Sequence, residues 1–197
     1  MPRICFVRHG ETDWNKLGKL QGRTDTELNV NGKEQALECA QALQKEEWDA
    51  IYSSPLQRAY KTASIVADYI DAPHRVMEEL VERSFGKAES MTVKERLSAY
   101  PDRQYPNQED ETALKDRLIC ALNHIKEEYP EGNVLVVTHG AVINFLLSQL
   151  CLSKYEIPPN SLVNGSLSYI ISKNNDWYVE DFNVTDHLSY YNEIGKV

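Results

Sequence analysis

No apolar run in this 197-residue sequence approaches the ~20 residues that a membrane-spanning helix requires. The N-terminus lacks the basic, apolar and small-residue sections of a secretory signal, so a cytoplasmic protein is expected. Four cysteines, Cys5, Cys39, Cys120 and Cys151, are scattered without a CxxC pair; most sit in core-like runs and read as buried, reduced thiols. An excess of cations is also missing. Lys and Arg number 21 against 30 Asp and Glu, for a formal net charge of −9. That balance argues against broad nucleic-acid binding and against an anionic membrane surface as partner. It leaves room for a small anionic ligand, because a local arginine cluster can dominate one site of an acidic protein. Internal repeats and low-complexity tracts are absent, and His74, His124 and His187 show no HxH or HxxxH spacing.

What is present alternates between two periodicities. Residues 4–7 form a short apolar run suited to a strand buried on both faces. Residues 29–46 carry Ala36, Leu37, Ala40 and Leu43 at helical spacing, with Asn29 placed to cap them. Ala50–Ser53 reads as a second strand. Pro55 suits the first turn of a helix running to about residue 69, with Ala59, Ala63, Val66 and Ile70 along one side. Residues 74–77 read as a short strand and 111–129 as a long amphipathic helix. Residues 134–137 make the strongest strand signal, and 141–151 an apolar helix. Residues 166–172 and 177–184, joined through 173–176, read as a hairpin. Between these, 82–110 is polar, holds Pro101 and Pro106, and has room for one short helix near 92–100. The expected architecture is an α/β three-layer sandwich: a mostly parallel central sheet flanked by helices. One domain spanning 1–197 is expected, with an excursion at about 83–110 covering the site. Ligands of such sheets bind at the carboxyl ends of the strands.

Two of the strands end alike. One runs into Arg8-His9-Gly10, the other into Thr138-His139-Gly140. If they are parallel neighbours, His9 and His139 share one sheet edge, and each glycine allows a tight bend with free backbone N–H groups. Arg58, in Ser53-Ser54-Pro55-Leu56-Gln57-Arg58-Ala59, falls early in a helix at the same edge. Two arginines can therefore converge with two histidines. The guanidinium fork matches phosphate oxygens, and a phosphoryl group is the simplest ligand for the cluster. Each residue alone has a plainer reading: a structural histidine, a surface arginine. A zinc site needs three or more ligands and avoids adjacent guanidiniums, so no metal is expected.

The ordered motifs resemble the histidine phosphatase superfamily, which includes the cofactor-dependent phosphoglycerate mutases. They are Arg8-His9-Gly10-Glu11-Thr12 with Trp14-Asn15, Gln21-Gly22-Arg23-Thr24-Asp25, Gly32 with Gln35-Ala36, and Ser53 to Ala59 with Thr62-Ala63. Glu82 with Phe85-Gly86 and Thr138-His139-Gly140 complete the set, which spans essentially the whole chain. The resemblance implies that His9 is a nucleophile forming a phosphohistidine. It implies that Arg8, Arg58 and His139 clamp the phosphoryl oxygens and that Asn15 adds a hydrogen bond. Glu82 would be the general acid and base, with a pKa raised by burial; the family uses no metal, and no cofactor is expected for this chain. Glu11 is the nearest competitor to Glu82, or a residue that orients its loop. Trp14 would pack at the cleft rim. Gln21, Gly22, Tyr100 and Arg103 are candidate substrate contacts, with Tyr105 beside them. Glu109 and Arg117, eight apart, read as a salt bridge supporting the site.

Where many phosphatases of the family have Gly-x-Trp-Glu-Gly, this chain has Gly86-Lys87-Ala88-Glu89-Ser90. Mutases of the family carry a longer, basic insertion there. Here the cations of the excursion, Lys94, Arg96 and Arg103, stand among several acids. A mutase must shield its phosphoenzyme from water and hold a doubly phosphorylated intermediate, whereas a phosphatase needs an open site. The expectation is a metal-independent phosphatase acting on a small phosphorylated metabolite. The alternatives are a phosphoglycerate mutase and a non-catalytic phospho-ligand binder. Substrate identity and oligomeric state stay open.

Overall fold

The computed structural model describes residues 1–154, 156–158 and 161–191. In chain order the elements are β1 (Arg3–Arg8), α1 (Asp13–Lys16), α2 (Val30–Leu43), β2 (Ala50–Ser53) and α3 (Gln57–Ala67). Then come β3 (His74–Val76), α4 (Val93–Ala99), α5 (Glu111–Glu128), β4 (Asn133–Thr138), α6 (Gly140–Phe145), β5 (Leu167–Lys173) and β6 (Asp176–Val184). The six strands lie in one sheet in the order β3-β2-β4-β1-β5-β6. Strands β3, β2, β4 and β1 are parallel, and the β5–β6 hairpin adds an antiparallel edge.

The period-two alternation of the central strands explains their continuous apolarity. Ile4, Phe6, Val134 and Val136 enter one core with Leu114, Leu118 and Ile125 of α5 and Ile143 of α6. Cys5, Val7, Leu135 and Val137 enter the other, with Cys39, Ala40 and Leu43 of α2 and Ala59, Ala63 and Val66 of α3. Both faces of the sheet are thus covered, as parallel strands require. Among the described residues no helix is long and apolar enough to cross a membrane.

Helix starts follow local capping chemistry. Asn29 accepts from the Gly32 N–H, Asp110 from Ala113 N–H, and Thr92 with Glu95 closes a reciprocal box on α4. Helix α3 differs from expectation: Pro55 precedes it, Leu56 is its cap residue, and it ends at Ala67. Its cap is supplied from outside, by Asp25, whose carboxylate accepts from the Gln57 backbone and side-chain amides at 2.8 and 3.0 Å. The apolar segment at 141–151 is also not one α-helix. It widens to a π turn over Leu146–Leu150, which keeps the consecutive Leu146 and Leu147 in the core. Of the four cysteines only Cys5 and Cys39 are buried. Cys120 lies on the exposed side of α5 and Cys151 is half-buried.

β1 and β4 pair in register from Arg3↔Asn133 to Arg8↔Thr138, so their histidine-glycine ends emerge side by side. The loop after β1 then presses against the first turn of α2. A Cβ built on Gly10 would lie 2.1 Å from the Gly32 carbonyl oxygen, and one on Gly32 would lie 2.1 Å from that of Glu11. Gly32→Ala separates two effects, because alanine favours a helix by about 1 kcal/mol while this contact forbids it. A net loss of about 1–3 kcal/mol in urea unfolding is expected; a gain would mean that the loop and helix do not touch.

Candidate active site

His9 leaves β1 with its backbone N–H on the Thr138 carbonyl at 3.0 Å, tying the two strand ends together. Its Nδ1 lies 2.7 Å from the Gly10 carbonyl oxygen. A carbonyl can only accept, so Nδ1 carries the proton and Nε2 keeps its lone pair. The ring is buried, and its pKa is held well below the ordinary histidine value, first by burial and then by the charges of Arg58 and Arg8. His139 stands with its ring centroid 5.2 Å from that of His9. Its Nε2 pairs with Ser54 Oγ at 2.8 Å, while Nδ1 is buried without a hydrogen-bond partner among the described residues. Burial, then Arg58, hold this ring neutral as well.

Both arginines are interior. Arg58 donates Nη1 to Thr24 O at 2.9 Å and Nη2 to Gly22 O at 2.7 Å, while its Nε is buried without a partner among the described residues. Arg8 donates Nη1 to the Leu162 carbonyl. Burial pushes each guanidinium down to about 10, and the charge of Glu82 works against that. Both stay cationic at neutral pH.

Glu82 is buried and accepts three backbone N–H groups. Arg83 and Val142 donate to Oε1 at 2.9 and 3.2 Å, and Ala141 to Oε2 at 3.2 Å. Burial raises its pKa above the ordinary carboxylate value, although these N–H groups and the two arginines pull downward. The segment around Glu82 is fixed by a second network. Glu109 takes Arg117 in bidentate fashion at 2.8 and 3.0 Å and Arg23 at 3.1 Å. Arg117 also donates to Glu79 O at 2.5 Å, Arg23 to Glu82 O at 3.3 Å, and the Glu109 N–H to Ser84 O at 2.9 Å. The expected Glu109–Arg117 pair therefore grips the chain on both sides of Glu82.

Arg8, His9, Asn15, Gln21, Gly22, Arg58 and Glu82 all line one cavity of about 70 Å³. Asn15 Oδ1 accepts from Thr12 N–H, and Gln21 Oε1 accepts from Thr12 Oγ at 2.8 Å. Each amide nitrogen is left as the group to offer a ligand. Tyr100 and Arg103 stand outside this lining: Tyr100 packs edge-on to Tyr105, and Arg103 faces a neighbouring groove. Glu11 is also outside it. Its carboxylate accepts from Asn29 and Asn31, and its N–H donates to Gln35, so it orients the loop. Trp14 is half-buried beneath Lys19, whose Nζ is 5.7 Å from the ring centroid.

Two residues of the site went unread in the sequence. Asn164 is buried and donates Nδ2 to His9 O at 2.9 Å, Gly10 O at 3.4 Å and Asn15 Oδ1 at 3.3 Å. Its signal was an amide set between apolar Leu162-Val163 and Gly165. Glu89 accepts from Thr24 N–H and Oγ and from Phe85 N–H, clasping the loop of Gly22 to that of Glu82. Gly22 has φ +54°, and a Cβ there would lie 2.2 Å from the Glu89 carboxylate. Ser90 holds a left-handed backbone at φ +73°.

The geometry defines an anion pocket at the carboxyl edge of a parallel sheet, built around an oriented, neutral imidazole. The model of the histidine phosphatase superfamily (branch 1) matches residues 4–185, and the chain belongs to that superfamily. The uncharacterized phosphatase PhoE of Bacillus subtilis is 42% identical over 189 residues, 96% of this chain and 98% of that one. A metal-independent phosphoserine phosphatase of Arabidopsis thaliana is 32% identical over 200 residues, 94% of this chain and 83% of that one. A mutant phosphoserine phosphatase of Entamoeba histolytica, solved in complex with phosphoserine, superposes with a TM-score of 0.80 at 29% identity, covering 95% of this chain and all of that one, 100%.

The buried imidazoles set an acid limit on stability. His9, His139, His74 and His187 all have lowered pKa values, each chiefly through burial. Below about pH 6.5 the unfolded chain takes up protons that the folded chain refuses, so stability is full above that pH and declines below it. The raised carboxyl of Glu82 acts in the opposite sense, one group against four. Fully buried His9 and His139 each contribute a slope of up to about 1.4 kcal/mol per pH unit. Urea midpoints are expected to fall between pH 7.5 and 5.5; an unchanged midpoint would show that the folded chain takes up protons as readily as the unfolded one.

Proposed function

We propose that the protein hydrolyses phosphomonoesters of a small phosphorylated metabolite through a phosphohistidine on His9, with no metal ion or other cofactor. The observation that carries this reading is a neutral imidazole, Nε2 free, between two buried guanidiniums and a carboxyl of raised pKa in the same pocket. In the first step His9 Nε2 attacks phosphorus, the ester P–O bond breaks, and the departing oxygen takes the Glu82 proton. In the second, Glu82 removes a proton from water, the new oxygen bonds to phosphorus, and the P–N bond breaks to release phosphate. Charge on the equatorial oxygens meets Arg8, Arg58, His139 and the Asn15 amide, donors already held in place before reaction. Gln21 and Gly22 contribute the wall beside the phosphoryl group. Relatives named as phosphoserine phosphatases support a small phosphorylated substrate. Four unpaired thiols fit a cytoplasmic setting.

Hydrolysis fits better than mutase transfer. Similar relatives are named as phosphatases, and beyond the phosphate cluster the cavity wall is Leu20, Phe85 and Leu162 with one further cation, Lys19. His9→Ala is expected to lower phenyl phosphate hydrolysis by about 10³-fold or more and to abolish an acid-labile, base-stable phosphoryl label on the protein. Mutase turnover of 3-phosphoglycerate with 2,3-bisphosphoglycerate that exceeds hydrolysis would overturn the assignment. So would ligand binding without any turnover, which would leave a phospho-ligand binder.

The pH profile carries a separate expectation. The acid limb of kcat/KM belongs to His9 and lies below the ordinary histidine value, because its pKa is lowered; activity falls as pH drops through it. The basic limb belongs to Glu82 and lies above the ordinary carboxylate value; activity falls as pH rises through it. Arg58→Gln removes one of the charges that depress His9, so the acid limb moves toward higher pH. An acid limb that stays in place would separate it from the His9 imidazole.

A further inference from the structure

A second depression adjoins the catalytic pocket. It has a volume of about 430 Å³, and Leu20 and Phe85 line both. Its remaining wall is the excursion itself. Helix α4 supplies Val93, Arg96 and Leu97, and the loop that follows supplies Arg103 and Tyr105. Three guanidiniums, those of Arg83, Arg96 and Arg103, face this groove against one carboxylate, Glu111.

The three are not equally engaged. Arg83 donates Nε to Glu109 O at 3.1 Å and stands 4.0 Å from Glu111. Arg96 reaches only the Tyr105 hydroxyl, at 3.4 Å; its Nε and Nη2 are shielded from solvent with no hydrogen-bond partner among the described residues. Arg103 is exposed and makes no ion pair with a described residue. Shielded N–H donors without an acceptor are costly, and the guanidinium fork fits carboxylate and phosphate oxygens. Apart from these charged groups and Gln108 the groove lining is apolar or aromatic, from Leu20, Phe85, Val93, Leu97 and the Tyr105 ring. The volume falls within the range of sites for whole organic ligands, larger than a three-carbon phosphate needs.

We propose that this groove is the leaving-group subsite. It takes a phosphomonoester whose alcohol portion is extended and apolar or aromatic and ends in a second anionic group, a carboxylate or a phosphate, received by Arg96 and Arg103. The assignment rests on the hydrolase reading above. It makes Arg96 and Arg103 specificity-determining residues that act on the far end of the substrate.

The test compares kcat/KM for four esters: phenyl phosphate, 2-naphthyl phosphate, and 2-naphthyl phosphate bearing a 6-carboxylate or a 6-phosphate. A charged naphthyl ester is expected to exceed the uncharged one by roughly tenfold or more, and the better of the two names the anion. Arg96→Gln and Arg103→Gln should each reduce that ratio toward one, and Arg96→Lys should restore part of it. Arg103 is exposed, so its variant remains informative even if Arg96→Gln fails to fold. Equal kcat/KM for all three naphthyl esters, or a ratio untouched by both glutamine variants, would overturn the assignment while leaving hydrolysis intact. Failure of the wild type on every ester, phenyl phosphate included, would instead sink the hydrolase reading.

Discussion

Two guanidiniums inside the protein, sharing their cavity with one carboxyl group, Glu82, are the constraint on which the site depends. Removing an ion from water costs several kcal/mol even after the protein relaxes around it. Arg58 offsets part of that through the carbonyls of Thr24 and Gly22, and Arg8 through that of Leu162. The balance is left as an electrostatic preference for an anion. Burial first, and the same field second, keep His9 and His139 neutral, so the positive charge that favours an anion also helps to preserve the imidazole lone pair. Binding and nucleophilicity are therefore two results of one arrangement.

Such a field must be held still to be useful, and the fold does this with backbone rather than long side chains. The His9 N–H is on Thr138 O, Gly165 N–H is on Arg8 O, and the Asn164 amide holds His9 and Gly10. Gly10 and Gly32 let the loop and α2 approach within a distance that any Cβ would block. Each contact concerns the strand end, not the strand, because β1 and β4 are already immobilised by burial on both faces. Rigid strands with specialised ends give precision with few parts.

The strands were legible in the sequence because their signal is local: four apolar residues in a row, then histidine and glycine. The Asn29 cap of α2 was legible for the same reason. The start of α3 was not, because its cap is Asp25, 32 residues upstream. Asn164 escaped notice because its partners are some 150 residues away, brought near only by the placement of β5 beside β1. Tyr100 and Arg103 were read as neighbours of the phosphate site from their position in the excursion alone. Their placement depends on left-handed turns at Arg103 and Asn107, with φ +58° and +65°, that side-chain chemistry does not announce. The π turn over Leu146–Leu150 has no local signal beyond two adjacent leucines that both enter the core.

Glu82 shows how the two parts of the molecule cooperate. The nucleophile candidate stands on the sheet, but the carboxyl belongs to the segment that leaves it. Its geometry therefore depends on contacts of both kinds. The N–H groups of Ala141 and Val142, in the first turn of α6, receive the carboxylate. Glu109, with Arg117 and Arg23, holds the backbone on either side. The clamp closes at Glu109, so the carboxyl is held from outside residues 90–108. Within that stretch the backbone is also tied to the cavity wall, by Ser90 N–H on Leu20 O at 2.8 Å and Leu20 N–H on Met91 O at 3.0 Å. These ties hold Ser90, in a left-handed backbone at φ +73°, against the loop of Leu20 that lines the cavity.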